Sequence, residues 1–247
     1  MFSLNKISDF ILPFKADKKS DNNMKNSVHF LHIGKCAGTA IKDFAEATNA
    51  AFACQVKIIS HDHNVSLSDI PTGASYFFSI RDPVTRFYSA FYSRKRKGAP
   101  RYYGEWSEGE ARAFERFPEA NDLAESLFNE TSTGFHAFSA MKSIGHLCKF
   151  QHDWFPDIEE IFTARPPMCI LRTEFLEADF VDLKKLIGLS DGFDLIKDPV
   201  KAHKNDYRAT LPLTDKAVKK LRIWYASDIL FYKLANTWIA NFQKNRT

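Results

Sequence analysis

Three short stretches of this sequence bring together residue types that do chemistry. The first is Gly34-Lys35-Cys36-Ala37-Gly38-Thr39-Ala40. The apolar run Val28, Phe30, Leu31, Ile33 precedes it, and Ile41, Phe44 and Ala45 recur on one helical face after it. The stretch is therefore a tight loop joining a strand to the start of a helix. Unspent amides in a helix's first turn, aided by the helix dipole, form a site for a phosphate or a similar anion. Lys35 adds a full positive charge where the turn closes. A Walker A loop would place four residues between its first glycine and Gly-Lys-Ser/Thr. Here the lysine comes early and Gly38-Thr39 comes late.

The second stretch is Arg81-Asp82-Pro83-Val84-Thr85-Arg86-Phe87-Tyr88-Ser89. An arginine at the end of a strand and a serine on the following helix can grip one phosphate from two directions, with a fork of donors and a hydroxyl. The plainer reading is a helix start, since Asp82 is a good N-cap and Pro83 a good first helical residue. The third stretch is His61-Asp62-His63. Residues two apart in extended chain face the same way, so both imidazoles are expected to look into one cleft. A surface pair without chemical consequence is the alternative, and a metal site lacks a third ligand at suitable spacing. His32 reads as a hydrogen-bonded core residue.

These stretches need a scaffold, and the periodicity supplies one. Strands are expected over Val28–Ile33, Gln55–Ser60, Tyr76–Ile80 and Met168–Leu171. Helices are expected after Asp82 and over Glu108–Phe117, Asn121–Asn129, Asp179–Leu189, Thr214–Trp224 and Ser227–Ala240. Strands alternating with helices predict an α/β domain whose central parallel sheet is covered on both faces. The chain's 247 residues suffice for one such domain, residues 27–247, with a large core. Met1–Asn26 is expected to be a flexible arm, or else a short amphipathic helix against the body. Its apolar stretch, Ile7–Phe14, is too short to span a bilayer, and no transmembrane segment or signal peptide is expected. A net charge of +4 excludes a general polyanion binder. Cys36, Cys54, Cys148 and Cys169 are scattered without metal spacing and read as free thiols in a reducing, cytoplasmic compartment.

Taken in order, the first two stretches resemble the two cofactor motifs of sulfotransferases that use 3′-phosphoadenosine 5′-phosphosulfate (PAPS). The loop is similar to their 5′-phosphosulfate loop, and Arg81 with Ser89 to their 3′-phosphate motif. The likeness runs from about Val28 to Leu234, through Leu171-Arg172-Thr173-Glu174-Phe175-Leu176 and Tyr207-Arg208, and is closest to the carbohydrate sulfotransferases. It implies a three-layer, P-loop-like fold and in-line transfer of a sulfuryl group from PAPS, without a metal, to an acceptor hydroxyl on a glycan or glycolipid. Cofactor binding would fall to Lys35, Cys36, Ala37, Gly38, Thr39, Ala40, Arg81 and Ser89. Lys35 would stabilise charge on the leaving oxygen. The general base would be His61 or His63, with His61 preferred because it is nearer the strand's fixed end.

Two positions depart from the family pattern. Gly34 replaces a proline, which is expected to loosen the loop, and Ala40 replaces a Ser or Thr, which removes a hydroxyl. Arg94-Lys95-Arg96-Lys97, with Arg101, Tyr102, Tyr103 and Trp106, reads either as an acceptor surface or as a solvated helix end that complements the dipole. Gln151 falls where relatives carry a glutamine near the acceptor or cofactor. No nucleic-acid partner is expected, and peripheral membrane contact stays open. The competing functions are a non-catalytic glycan- or nucleotide-binding protein and a kinase on a similar scaffold.

Overall fold

The structure, a computed structural model, describes residues 27–51, 56–189, 193–195 and 210–244. The arm expected at Met1–Asn26, Cys54, Gln55 and the pair Tyr207-Arg208 lie outside the described residues. Four parallel strands form the centre: β1 (Ser27–Leu31), β2 (Lys57–Ser60), β3 (Ser75–Ile80) and β4 (Cys169–Arg172), in the order β2-β1-β3-β4. Alternation along each strand sorts the side chains. Val28, Phe30, Phe77, Cys169 and Leu171 pack with α1 (Gly38–Ala50) and α6 (Leu176–Leu186), where Phe44 meets Phe180 edge-on at 4.5 Å. Leu31, Tyr76, Phe78, Ile80 and Ile170 pack on the other side with Phe231, Ala235 and Ile239 of α8 (Ala226–Lys244). Burial on both faces is why these strands read as short, nearly continuous apolar runs. At the free edge of β2, Asn49 pairs with the Ile58 backbone, accepting from its amide at 3.0 Å and donating to its carbonyl at 2.8 Å.

A second core is purely helical. It joins α2 (Pro83–Lys95), α3 (Glu108–Arg116), α4 (Ala120–Ser126), α5 (Ser132–Ser143) and α7 (Asp215–Trp224) around Phe87, Phe91, Phe114, Leu123, Met141 and Leu221. Asp82 caps α2 as expected, accepting from the Val84 and Thr85 amides at 3.0 Å each. Helix α5 has no counterpart among the expected helices. Its inward face is Gly134, Ala137, Ala140 and Met141, which carries too little hydrophobic contrast to stand out in the sequence. Helix α6 begins at Leu176 rather than Asp179, because a 3-10 turn over Thr173–Phe175 feeds straight into it.

The strand order creates the important feature. From β1 the chain moves to β2 on one side, and from β3 it moves to β4 on the other. The adjacent carboxyl ends of β1 and β3 therefore send their loops apart, and the crevice left between them is where open α/β sheets bind ligands.

Candidate functional site

The loop after β1 is held from behind. Arg86 Nε donates to the Gly34 carbonyl at 2.9 Å, Ser79 Oγ donates to the Cys36 carbonyl, and Cys36 Sγ donates to Gln151 Oε1 at 3.3 Å. Lys35 and Ala37 both sit in the left-handed region, at φ +69° and +61°. Each costs about 1 kcal/mol or more, and the three anchors keep them there. Ala37, the N-cap of α1, makes no side-chain cap, and the helix's first turn carries no acidic residue. The amides of Gly38, Thr39 and Ala40 are thus left without intrahelical carbonyl partners. Gly38 makes room for His32: a Cβ there would lie 1.8 Å from His32 Nε2, so the ring would have to shift. At Gly34, the position expected to loosen the loop, the carbonyl is tied to Arg86, itself 1% exposed.

Arg81 follows β3 directly. Its amide donates to Gln151 Oε1 at 2.9 Å and its carbonyl accepts from Gln151 Nε2 at 2.8 Å. Gln151 is fully buried, and its own amide donates to the Asp228 carboxylate at 2.8 and 2.9 Å. This glutamine therefore clamps the two loops together from behind, and does not reach an acceptor. The Arg81 side chain is steadied by Nε donating to Thr85 Oγ1 at 3.1 Å. Ser89 is buried two turns along α2.

A cleft of about 1100 Å³ opens at this point. Lys35, Ala37, Gly38, Thr39 and Ala40 line it from the β1 side, and Arg81 and Ser89 from the β3 side. Cys36 lies behind the wall, fully buried, its thiol pushed up to about 12 by burial. Its side chain is therefore an anchor and not a ligand. Burial first, then Arg81 and Arg96, lowers the Lys35 ammonium to about 8. No ion pair among the described residues includes Lys35, Arg81 or Arg86. Lys35, Arg81 and the first amides of α1 thus face the cleft unpaired, while Asp43, Glu46, Glu174, Glu177 and Asp194 stand elsewhere on its wall.

The two histidines expected to share the cleft part company. His63 lines it beside Lys35. His61 turns to the other side, its Nε2 2.8 Å from His29 Nδ1 and the two rings stacked at 5.1 Å. The period of two fails because β2 ends at Ser60 and the chain turns at His63-Asn64. The preference for His61 is corrected accordingly. His63 Nδ1 lies 3.3 Å from the His32 carbonyl, which can only accept; that bond puts the proton on Nδ1 and leaves a lone pair on Nε2. Burial, with help from Lys42, keeps this imidazole's pKa below its ordinary value.

Two further imidazoles complete the wall. His32 is buried as expected, but its Nδ1 has no hydrogen-bond partner among the described residues. Its ring lies 3.9 Å from that of His63. His146, which no motif singled out, stands edge-on to His63 at 5.5 Å with φ +67°. It lines the cleft from the turn after α5, and a Cβ on Gly34 would lie 3.0 Å from its Nδ1. Burial, then His63 and Lys42 for His32, and Lys35 and His63 for His146, hold both near 3. Only the positive φ of a histidine in a functional turn could have flagged His146, and φ is not visible in sequence. Among the described residues, no group of three or more His, Cys, Asp or Glu could hold a metal ion.

The basic run at the end of α2 is largely consumed internally. Arg94 is buried and donates to both Glu110 oxygens at 2.6 and 2.8 Å, Lys95 pairs with Glu119 at 2.7 Å, and Lys97 with Glu105 at 2.7 Å. Trp106 donates to the Arg94 carbonyl and stacks under Lys97 at 5.0 Å. Arg101 and Tyr102, further on, do reach the cleft. No protein-family model matches this chain, and no curated protein matches it significantly.

Proposed function

We propose that this chain is a PAPS-dependent sulfotransferase on a P-loop-like fold, acting on an acceptor hydroxyl carried by a carbohydrate. The observation that carries this reading is convergence. Two stretches read independently as anion grips, 34–40 and 81–89, line one cleft at the crevice between β1 and β3. Lys35 and Arg81 face that cleft with no ion pair among the described residues, which suits a ligand with phosphate groups at two ends. When bound, PAPS supplies the sulfuryl group and leaves as the 3′,5′-bisphosphate.

The residues divide the work by position. The amides of Gly38, Thr39 and Ala40, with the Thr39 hydroxyl nearby, hold the 5′-phosphate. Arg81 and Ser89 hold the 3′-phosphate. Lys35, on the cleft wall, would stabilise negative charge developing on the departing nucleotide. His63 Nε2, left free by the Nδ1 contact to the His32 carbonyl, would take the acceptor's proton. The lowered pKa of His63 keeps it in the neutral form that a base requires. Free, buried Cys36 and Cys169 agree with a reducing, cytoplasmic setting.

The test is release of the bisphosphate from PAPS in the presence of a panel of glycans and glycolipids. His63→Ala is expected to lower turnover by roughly 100- to 10,000-fold, the usual worth of a positioned base. His61→Ala is expected to stay near the parent. Transfer that survives His63→Ala but not His61→Ala would reverse the assignment of the base. No release with any acceptor, despite nucleotide binding, would favour a binding protein.

A further inference from the structure

One buried side chain that the proposed chemistry does not use lies behind both the Lys35 loop and His63. Arg86, in the first turn of α2, is almost fully buried and does not line the cleft. It has no ion pair among the described residues, and its Nη2 has no hydrogen-bond partner there. Burying a guanidinium on those terms carries a desolvation cost that an apolar side chain of similar volume would avoid. What offsets the cost lies with its other donors. Nε donates to the Gly34 carbonyl at 2.9 Å, and Nη1 donates to the Lys149 carbonyl at 3.0 Å.

Each acceptor leads to a group with a part in the site. The Gly34 carbonyl belongs to the rigid peptide plane that enters Lys35, whose φ is +69°. Carbonyl and amide point opposite ways across a trans peptide, so the bond to Arg86 also directs the Lys35 amide. That amide makes no backbone hydrogen bond among the described residues. Lys149 stands behind the base. Its Nζ donates to the His63 carbonyl at 3.3 Å, and the Trp154 indole donates to the same carbonyl at 3.1 Å. The Lys149 ammonium lies 3.8 Å from the Trp154 ring centroid, which fixes it over the indole. One planar fork thus joins the loop that carries the lysine to the segment that backs the histidine. A lysine in place of Arg86 would keep the charge but lose the fixed angle between the two donors.

We propose that Arg86 is the positioning residue of this site, setting the Lys35 loop and His63 at a fixed spacing from behind the cleft wall. The Lys35 half of the proposal stands on the loop geometry, and the His63 half rests on the sulfotransferase reading. The test compares Arg86→Lys and Arg86→Gln with the parent in the full-length chain. Calorimetric titration with inorganic pyrophosphate reports on the loop without reference to any reaction. Both variants are expected to bind it about tenfold or more weakly, the worth of a charge-assisted bond. With PAPS as donor, kcat is expected to fall about 100-fold while the acceptor KM changes far less, as a misplacement of about 1 Å would give. Parent-like pyrophosphate affinity and kcat in Arg86→Lys would overturn the proposal, since charge without the fork would then suffice. Lys149→Met probes the second link without touching the core. It should lower kcat about tenfold and leave pyrophosphate affinity at the parent value; an unchanged kcat would overturn the His63 half. Pyrophosphate binding weakened in both Arg86 variants, with no bisphosphate released from PAPS by the parent, would uphold the loop role and remove the sulfotransferase reading instead.

Discussion

Two sets of cations, one at the end of α2 and one on the loops that line the cleft, have opposite fates. At the end of α2, Arg94, Lys95 and Lys97 each face a carboxylate, and the pairs knit α2 to the segments that follow it. Beyond the carboxyl ends of β1 and β3, Lys35 and Arg81 line the cleft with no ion pair among the described residues, and Arg81 is steadied by the Thr85 hydroxyl. The first arrangement has spent its charge on the fold. The second keeps charge in reserve for something that arrives from outside. A basic cluster in a sequence does not reveal which it is, because the deciding acids lie on other elements.

Each set can be broken separately. Lys35→Ala should lower transfer by roughly 100- to 1000-fold, the scale of removing one preorganised donor, with thermal unfolding nearly unchanged. A variant that keeps full activity would remove Lys35 from the chemistry. Arg94→Ala should do the reverse. It leaves Glu110 buried and unpaired, so a loss of about 3 kcal/mol in unfolding free energy is expected by chemical denaturation. Burial works against the Glu110 charge, but bonds from Arg94 and from the Gly145 and Ser107 amides prevail and hold its carboxyl at about 2. A loss under about 1 kcal/mol would show that this pair is solvated in practice.

The reserve charge should also show in pH profiles. The Lys35 ammonium titrates near 8, so affinity for an anionic nucleotide is expected to fall above that pH, by up to about tenfold per pH unit. Lys35→Arg stays charged and should flatten the profile. On the acid side, His32 and His146 resist protonation until about pH 3, whereas unfolded histidine binds protons below about 6.5. The unfolded chain then holds more protons between these limits. Stability is therefore full above pH 6.5 and falls as pH drops, by up to about 1.4 kcal/mol per pH unit for each histidine. His146→Gln should make the slope shallower. Smallest of all is Lys97→Ala, whose solvent-screened pair with Glu105 should leave the thermal midpoint nearly unchanged.

Local features of the sequence were enough to locate the sheet and the loop. The runs around Phe30, Phe77 and Ile170 marked strands because both faces of those strands are buried, and Gly38 with Lys35 marked the helix start. What escaped was everything set by distant partners. Gln151 meets Arg81 across 70 positions, so its role as a clamp has no local sign. His146 reaches the cleft from the turn after a helix whose inward face is glycine and alanine. The divergence of His61 from His63 follows from a strand that stops one residue before the pair. The neutralisation of Arg94 depends on Glu110, which belongs to a separate helix.

The most direct measurement of the central claim is calorimetric titration with 3′-phosphoadenosine 5′-phosphate beside AMP and ATP. Tighter binding of the 3′-phosphorylated nucleotide is expected, and Arg81→Ala should abolish that preference while leaving the affinity for AMP close to the parent value. Equal affinity for all three nucleotides, or a preference for ATP that survives the substitution, would contradict the assignment of Arg81 and Ser89 to a 3′-phosphate and, with it, the sulfotransferase reading.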